Sequence, residues 1–504
     1  MLNGLLGRKR EIVHFIGIVL LIHLYRFVNY LPNWDCMYGV SLAAPGMTHF
    51  GRWLSGLANL LLHSRYDLQW VEGCFSTLWI ALTIALILEL FELRDKWSVY
   101  IAAFLFAAFP GVTGALCYSL WAPAYMLALF LAVAGAFLCL TEENRPRALC
   151  AAALCFLCGL AIYQAYITVA LVLFLFYWGN RLCSAADTLS GMKETAACFA
   201  AALLVGGALY WLGEKIALRF WHSSLIAYQG ISEAGLMSPG EYLRALWLMV
   251  FSFLSFFHGE RSLDAIGRIG VYTVLNILLA LVILGLGYRT ILANRALPAK
   301  RKAAALLCFF ALWPCTYCFY LASPGVTYHA LMEQADFFVY FFILLSLRRG
   351  GYGPRSLVRA VSLALLASLC FYHYINDNVA YQQLSMAWQR TQFECQEVLA
   401  EIDRAFPETR TLHTPIAVIG RFPAMKSRVD TRPLITGAST DNFLFGQYHF
   451  VQFTNYYYGR DFAPCDEQGL AALERDERFA AMPAYPAQGY VGEIDGRIVV
   501  KLLQ

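Results

Sequence analysis

The sequence predicts a polytopic α-helical membrane protein that ends in a small α/β domain, on three observations. Of its 504 residues, 59% are hydrophobic and 14% charged, where soluble domains carry about 25% charge. Apolar runs close to the roughly 20 residues that span a bilayer recur over the first three quarters of the chain. Beyond residue 377 these runs stop and the composition turns polar. The net charge of +4 is small and its cations are scattered over short loops, which argues against nucleic acid as a partner. Most of the 15 cysteines fall inside apolar runs, Cys150, Cys155 and Cys158 among them. They read as packing residues, not as a disulfide frame or a zinc site.

About eleven spans are expected, near 11–30, 70–91, 98–116, 121–140, 148–164, 166–180, 195–214, 266–287, 303–322, 332–347 and 357–376. The first is long and lacks a small-residue cleavage site, so it reads as a retained anchor. Lys and Arg set the orientation. Arg8, Lys9 and Arg10, then Arg94 and Lys96, Arg145 and Arg147, Arg181 and Lys193, the 289–302 group, and Arg348 to Arg359 all fall in alternate loops. The loops near 117–120, 164–166 and 323–331 carry none. The N-terminus is therefore expected in the cytoplasm, with the loops 31–69 and 215–265 outside it. Residues 1–377 would form the membrane-embedded domain and 378–504 an extracytoplasmic α/β domain.

Within the outer loops, Gly51 to His63 suits a short helix lying in the membrane interface, with Trp53 at headgroup depth. Residues 241–257 are similar, but could also re-enter or span the membrane; a span there would move the tail to the other side. In the tail, 384–406 reads as an amphipathic helix closed by Pro407. Thr414 to Phe422 reads as a buried strand, and 489–503 as a hairpin around Asp495-Gly496. Cys395 and Cys465 could pair in an oxidising compartment.

The stretch Tyr30 to Leu54 gathers the chemistry. Asp35, His49 and Arg52 stand there among Trp34, Tyr38, Phe50 and Trp53. An ionised Asp35 can take a proton from a hydroxyl within reach; the plainer alternative is a helix cap or a water-facing carboxylate. Arg52 and His49 suit a phosphate group, since a guanidinium fork matches phosphate oxygens; Arg52 could equally snorkel to lipid headgroups. His23 and Arg26 share one face of the first span and are candidates because they are ionisable within it. Tyr66 and Asp67 open the second span, where Asp67 could be a ligand or a cap. Tyr163, Gln164 and Tyr166 suit sugar recognition at a hairpin turn, or an aromatic belt. Tyr328, His329, Glu333 and Asp336 would share a face if helical. His222, Glu260 and Arg261 are vaguer. No nucleotide-binding glycine pattern, H-E-x-x-H or G-x-S-x-G is present. No cofactor is called for with certainty, and a divalent metal is left open.

The runs L-P-N-W-D (Leu31–Asp35), H-F-G-R-W (His49–Trp53) and R-Y-D-L-Q-W-V (Arg65–Val71) resemble the start of the glucosyl transferase II family. These are bacterial and phage integral-membrane proteins associated with O-antigen glucosylation. The endings M-P-A-Y-P (Met482–Pro486) and I-D-G-R-I-V-V-K-L (Ile494–Leu502) look similar too. The resemblance implies a GT-C-like glycosyltransferase of the bacterial cytoplasmic (inner) membrane. It implies a polyprenyl-phosphate sugar as donor, a surface or lipid-linked glycan as acceptor, and an acidic residue in the first outer loop, matched here by Asp35. GT-C loops often hold two acidic residues; here Asp35 stands alone. With that family, Asp35 becomes the base of an inverting hexosyl transfer. Side-chain chemistry, not the resemblance, makes Arg52, His49 and Arg26 the candidate donor-phosphate ligands, and Trp34, Tyr66, Asp67, Tyr163, Gln164, His329 and Glu333 the candidate substrate contacts. A transporter or flippase of lipid-linked sugars, using His23, Arg26 and Glu333 as its path, is the alternative; no internal symmetry of the transporter kind is visible.

Overall fold

The computed structural model describes residues 1–36, 47–62, 67–184, 189–227, 235, 237–259, 270–323, 325–410, 413–423, 435, 437–438 and 441–503. Among them, ten helices are long and apolar enough to cross a membrane. Lys9–Val28 packs against Gln69–Leu90, Lys96–Ala107 and the long helix Leu357–Ala405. The spans Ser119–Thr141, Arg145–Ile162, Gln164–Leu182 and Gly191–Phe220 pack side by side as expected. Asn144 caps the second of these hairpins through Arg147 N–H at 3.1 Å, and Pro146 sits in the first turn, where a missing N–H costs nothing.

The basic ends are stitched to backbone. Buried Arg8 donates to Glu89 and to the carbonyls of Leu88 and Leu93. Arg359 pairs with Asp95 at 2.8 Å, and Asp95 in turn caps the helix that starts at Lys96. The Leu88 carbonyl also accepts the Leu93 N–H, so Arg8 adds a second donor at that helix end.

Two expected spans are broken instead. Residues 303–322 fold as Ala299–Phe310, Leu312–Thr316 and a 3-10 turn, Cys318–Leu321. Residues 332–347 begin as two 3-10 turns, Ala330–Met332 and Gln334–Asp336, before the helix Phe337–Arg349. Irregular backbone at membrane depth is tolerated where protein covers it; Ala330, Leu331, Gln334 and Ala335 are all buried. Residues 241–257 fold as the helix Pro239–His258, opened by a Ser238–Glu241 capping box and closed by left-handed Gly259. It is one of the ten long enough to cross. A short helix forms within Gly51 to His63, as Ser55–Leu62.

The largest departure lies at the tail. The expected span 357–376 and the amphipathic helix 384–406 are one continuous helix, Leu357–Ala405, of 49 residues. At roughly 1.5 Å per residue it runs about 74 Å, far past a hydrocarbon core of about 30 Å. Neither Gly nor Pro interrupts it. The composition shift at 377 therefore falls inside a helix, where Tyr381 meets His23 at 2.7 Å.

Four strands complete the tail: β1 (Thr414–Ile419), β2 (Phe462–Pro464), β3 (Val491–Ile494) and β4 (Arg497–Lys501), in the order β2-β1-β4-β3. β1 is parallel to both β2 and β4, and β3–β4 is the expected hairpin, with Asp495 and Gly496 at φ 52° and 73°. Alternation splits the faces. Ile416, Val418, Ile498 and Val500 pack with Leu384, Cys395, Val398 and Phe450. Ala417, Ile419 and Val499 pack with Leu473 and Phe479, and Cys465 lies on that side. Cys395 and Cys465 are free thiols in separate cores and do not pair.

The tail touches the loop after the first span. Trp34 lies 6.4 Å from Phe443 and 5.8 Å from Phe445, and the Tyr30 and Tyr457 hydroxyls are hydrogen-bonded. Tail and loop thus share one side of the helix bundle, whatever path Pro239–His258 takes.

Candidate active site

Asp35 is presented by a turn that Asn33 builds. Buried Asn33 accepts the Asp35 N–H on its own Oδ1 at 3.0 Å, and accepts the Cys36 thiol there as well. This is the local bond that Asx residues favour in turns. Gln69 holds the strand entering the turn by accepting the Leu31 N–H at 3.2 Å. Asp35 itself is solvent-accessible. The protein around it still strips enough water to push its carboxyl up to about 6, against the pull of Arg52.

Arg52 comes from the other end of the loop. Its guanidinium lies 4.6 Å above the Tyr163 ring and 5.8 Å from Phe50, and Nη1 donates to the Tyr125 hydroxyl at 3.2 Å. Tyr125, Tyr163 and Tyr166 pack in sequence, the first pair tilted at 4.5 Å and the second edge-on at 5.2 Å between centroids. An aromatic bed of this kind orients a weakly hydrated cation without neutralising it.

The backbone beneath Arg52 is pinned hard. Gln164 donates to the Phe50 carbonyl at 3.0 Å and to the Tyr210 hydroxyl at 3.1 Å. That hydroxyl lies 3.1 Å from both the Gly51 carbonyl and Glu214 Oε1. Gly51 sits at φ 72°, and a Cβ there would come within 2.6 to 2.8 Å of Tyr210, Gln164 and Glu214. A side chain there would strain the backbone and displace these three polar groups. Leu54 N–H reaches the Ala161 carbonyl, and Trp53 packs on Gly213 of the helix Leu189–Phe220, so its ring is held by protein.

The remaining sequence candidates divide. Gln164 and Tyr163 join Arg52 as supports of its loop. His49 stacks on Phe50 at 4.3 Å, and burial lowers its pKa. A neutral imidazole offers one N–H and no charge to a phosphate, which weakens that assignment. Arg26 serves a different group: it donates to the Leu116 carbonyl and to Gln69, both at 2.8 Å. Asp67 beside it accepts from Ser119 at 2.9 Å and is hydrogen-bonded to Glu72, a contact that needs one proton between two carboxyls. His23 is locked between the Ala107 carbonyl and Tyr381. His329, Glu333 and Asp336 lie along two 3-10 turns, not on the α-helix expected, and Asp336 accepts from the Tyr317 hydroxyl at 2.8 Å. His222 ends the helix Leu189–Phe220 region at φ 48°. Tyr38, Tyr66, Glu260 and Arg261 lie outside the described residues. Among the described residues no group of three or more His, Cys, Asp or Glu could hold a metal ion.

Sequence reasoning missed Asn33, Tyr125, Tyr210 and Glu214. Only Asn33 left a local signal, its position two residues before Asp35. The tail adds another set beside Trp34. Phe445 and Tyr448 are 40% and 59% exposed, with His449 edge-on to both at 5.6 Å.

A family model described as glucosyl transferase GtrII matches residues 24–347. The match takes in Asp35, Arg52, the tyrosine bed and Gln164, and stops before the tail, so the tail motifs at 482–486 and 494–502 lie outside it. No curated protein and no solved structure matches the chain.

Proposed function

The chain belongs to the GtrII glucosyl transferase family, and from that premise we propose that it transfers a hexose, glucose first, from a polyprenyl-phosphate carrier to a surface or lipid-linked glycan. The observation that carries the reading is that Arg52 is near enough to Asp35 to pull its carboxyl down against burial, on the side where Trp34 meets Phe445 of the tail. The donor phosphate would dock on Arg52, with its lipid among the helices. An acceptor hydroxyl oxygen then attacks C1 of the sugar. Its proton passes to Asp35, the C1–O bond to phosphate breaks, and the electron pair leaves on the phosphate oxygen. A single displacement inverts C1. Charge neutralisation by Arg52 helps that leaving group more than a proton would.

The compartment follows from loop charge. The Arg-rich loops would face the cytoplasm of a bacterial inner membrane, and the domain 378–504 would stand outside. The contacts of Pro239–His258 support an outer-leaflet, re-entrant path: Ser252 meets Tyr320 at 3.0 Å and the His258 carbonyl accepts from Thr273 at 2.8 Å. Both partners lie at ends remote from the basic loops. The transporter reading loses support, since His23 and Arg26 are tied to backbone carbonyls.

The direct test is an in-membrane assay with labelled polyprenyl-phospho-glucose, read as glycosylated product against lipid merely moved across the bilayer. Two outcomes are expected beyond product formation. First, a base must be ionised, and the Asp35 carboxyl is pushed up to about 6. Activity should be flat above about pH 7 and fall roughly tenfold per unit below pH 6. A flat profile down to pH 5 removes Asp35 as base. Second, Phe445, Tyr448 and Trp34 would stack on acceptor sugars. Phe445→Ala and Tyr448→Ala should each raise the acceptor KM roughly five- to tenfold, leaving the donor KM unchanged. An unchanged acceptor KM in both variants takes the acceptor away from the tail.

A further inference from the structure

We propose that the face opposite Asp35 holds a binding site for the phosphate of an anionic glycerophospholipid, set between the ends of Gln69–Leu90, Gln164–Leu182 and Phe337–Arg349. A cavity of about 380 Å³ opens there. Its floor is apolar, made by Leu90, Phe91, Tyr177 and Leu345. Its rim carries three guanidiniums, Arg181, Arg348 and Arg349, against one carboxylate, Glu92.

The guanidiniums are held at the rim. Arg348 donates to the Phe91 carbonyl at 2.5 Å, and Arg349 to the Asn180 carbonyl at 2.8 Å. Arg349 also bonds the Asn180 side-chain oxygen and the Cys183 sulfur; these neutral partners leave the charge of the guanidiniums at the rim in place. Glu92 does little to offset the charge: its pair with Arg348 spans 3.5 Å between side chains 48% and 73% exposed. Arg348 and Arg349 are close enough to repel one another. An apolar floor beneath a cationic rim, at the level where spanning helices end, matches a phosphodiester above its acyl chains. A phosphatidylcholine headgroup carries its own cation and loses that complementarity.

The test uses the full chain in nanodiscs of equal phosphatidylglycerol and phosphatidylcholine, with native mass spectrometry of the released protein. One phosphatidylglycerol should be retained in preference to phosphatidylcholine. The double variant Arg348→Gln, Arg349→Gln should hold it about thirtyfold more weakly. Because those arginines also cap helices, Ser184→Trp serves as the second variant. It keeps every charge, fills the cavity and should abolish retention. Millimolar inorganic phosphate should not displace the lipid. Equal retention of both lipids, wild-type retention by Ser184→Trp, or displacement by phosphate alone would each overturn the proposal. None of these outcomes depends on transferase activity.

Discussion

Asp35→Asn should lower turnover by about 10²- to 10⁴-fold, the usual contribution of a positioned general base. The substitution is close to isosteric, and the turn does not need the carboxylate. Asn33 holds that turn through the backbone N–H of residue 35 and the thiol of Cys36. The variant should therefore fold, keep its helix content and bind donor normally. Loss of turnover with intact binding would separate the base from a structural role. Asp35→Glu should recover part of the rate, since the longer arm still accepts a proton. A folded Asp35→Asn enzyme with near wild-type transfer would falsify the assignment.

Arg52→Ala is expected to lower kcat/KM by about 10²- to 10³-fold, the scale for removing one preorganised donor from developing charge. Arg52→Lys should recover only part of this. A lysine keeps the charge but loses the fork, and its ammonium is more strongly hydrated over the Tyr163 face. A second readout ties the two residues together. Arg52 holds the Asp35 carboxyl down against the upward push of burial. With Arg52 replaced by Gln, the acid limb of the residual activity should move above pH 6. An unmoved limb would mean the two charges do not sense each other, and wild-type kinetics in Arg52→Ala would remove the phosphate role outright.

The tyrosine bed shows why some of this was hidden from one-dimensional reading. Tyr163 and Gln164 stood out because they interrupt a membrane hairpin. Tyr125 and Tyr210 sit inside apolar runs and look like any span aromatic, yet they fix Arg52 and Gly51. The conformation under His329, Glu333 and Asp336, where an α-helix is expected, is hidden from such reading for a related reason: the chain makes 3-10 turns there, which spacing alone does not signal. The composition shift at 377 did not mark a break: the helix Leu357–Ala405 runs through it, because a change of side-chain polarity need not interrupt the backbone hydrogen-bond ladder.

From sequence alone came most of the long apolar helices, the alternating basic loops, the tail hairpin and the loop that carries Asp35. These are local properties, set by hydropathy, charge and turn residues within a few positions of one another. The company that Arg52 keeps, the lock on His23, the separate cores of Cys395 and Cys465, and the meeting of Trp34 with Phe445 were decided only by the tertiary structure. Those contacts join residues tens to hundreds of positions apart, and packing at that range leaves no periodic trace in the chain.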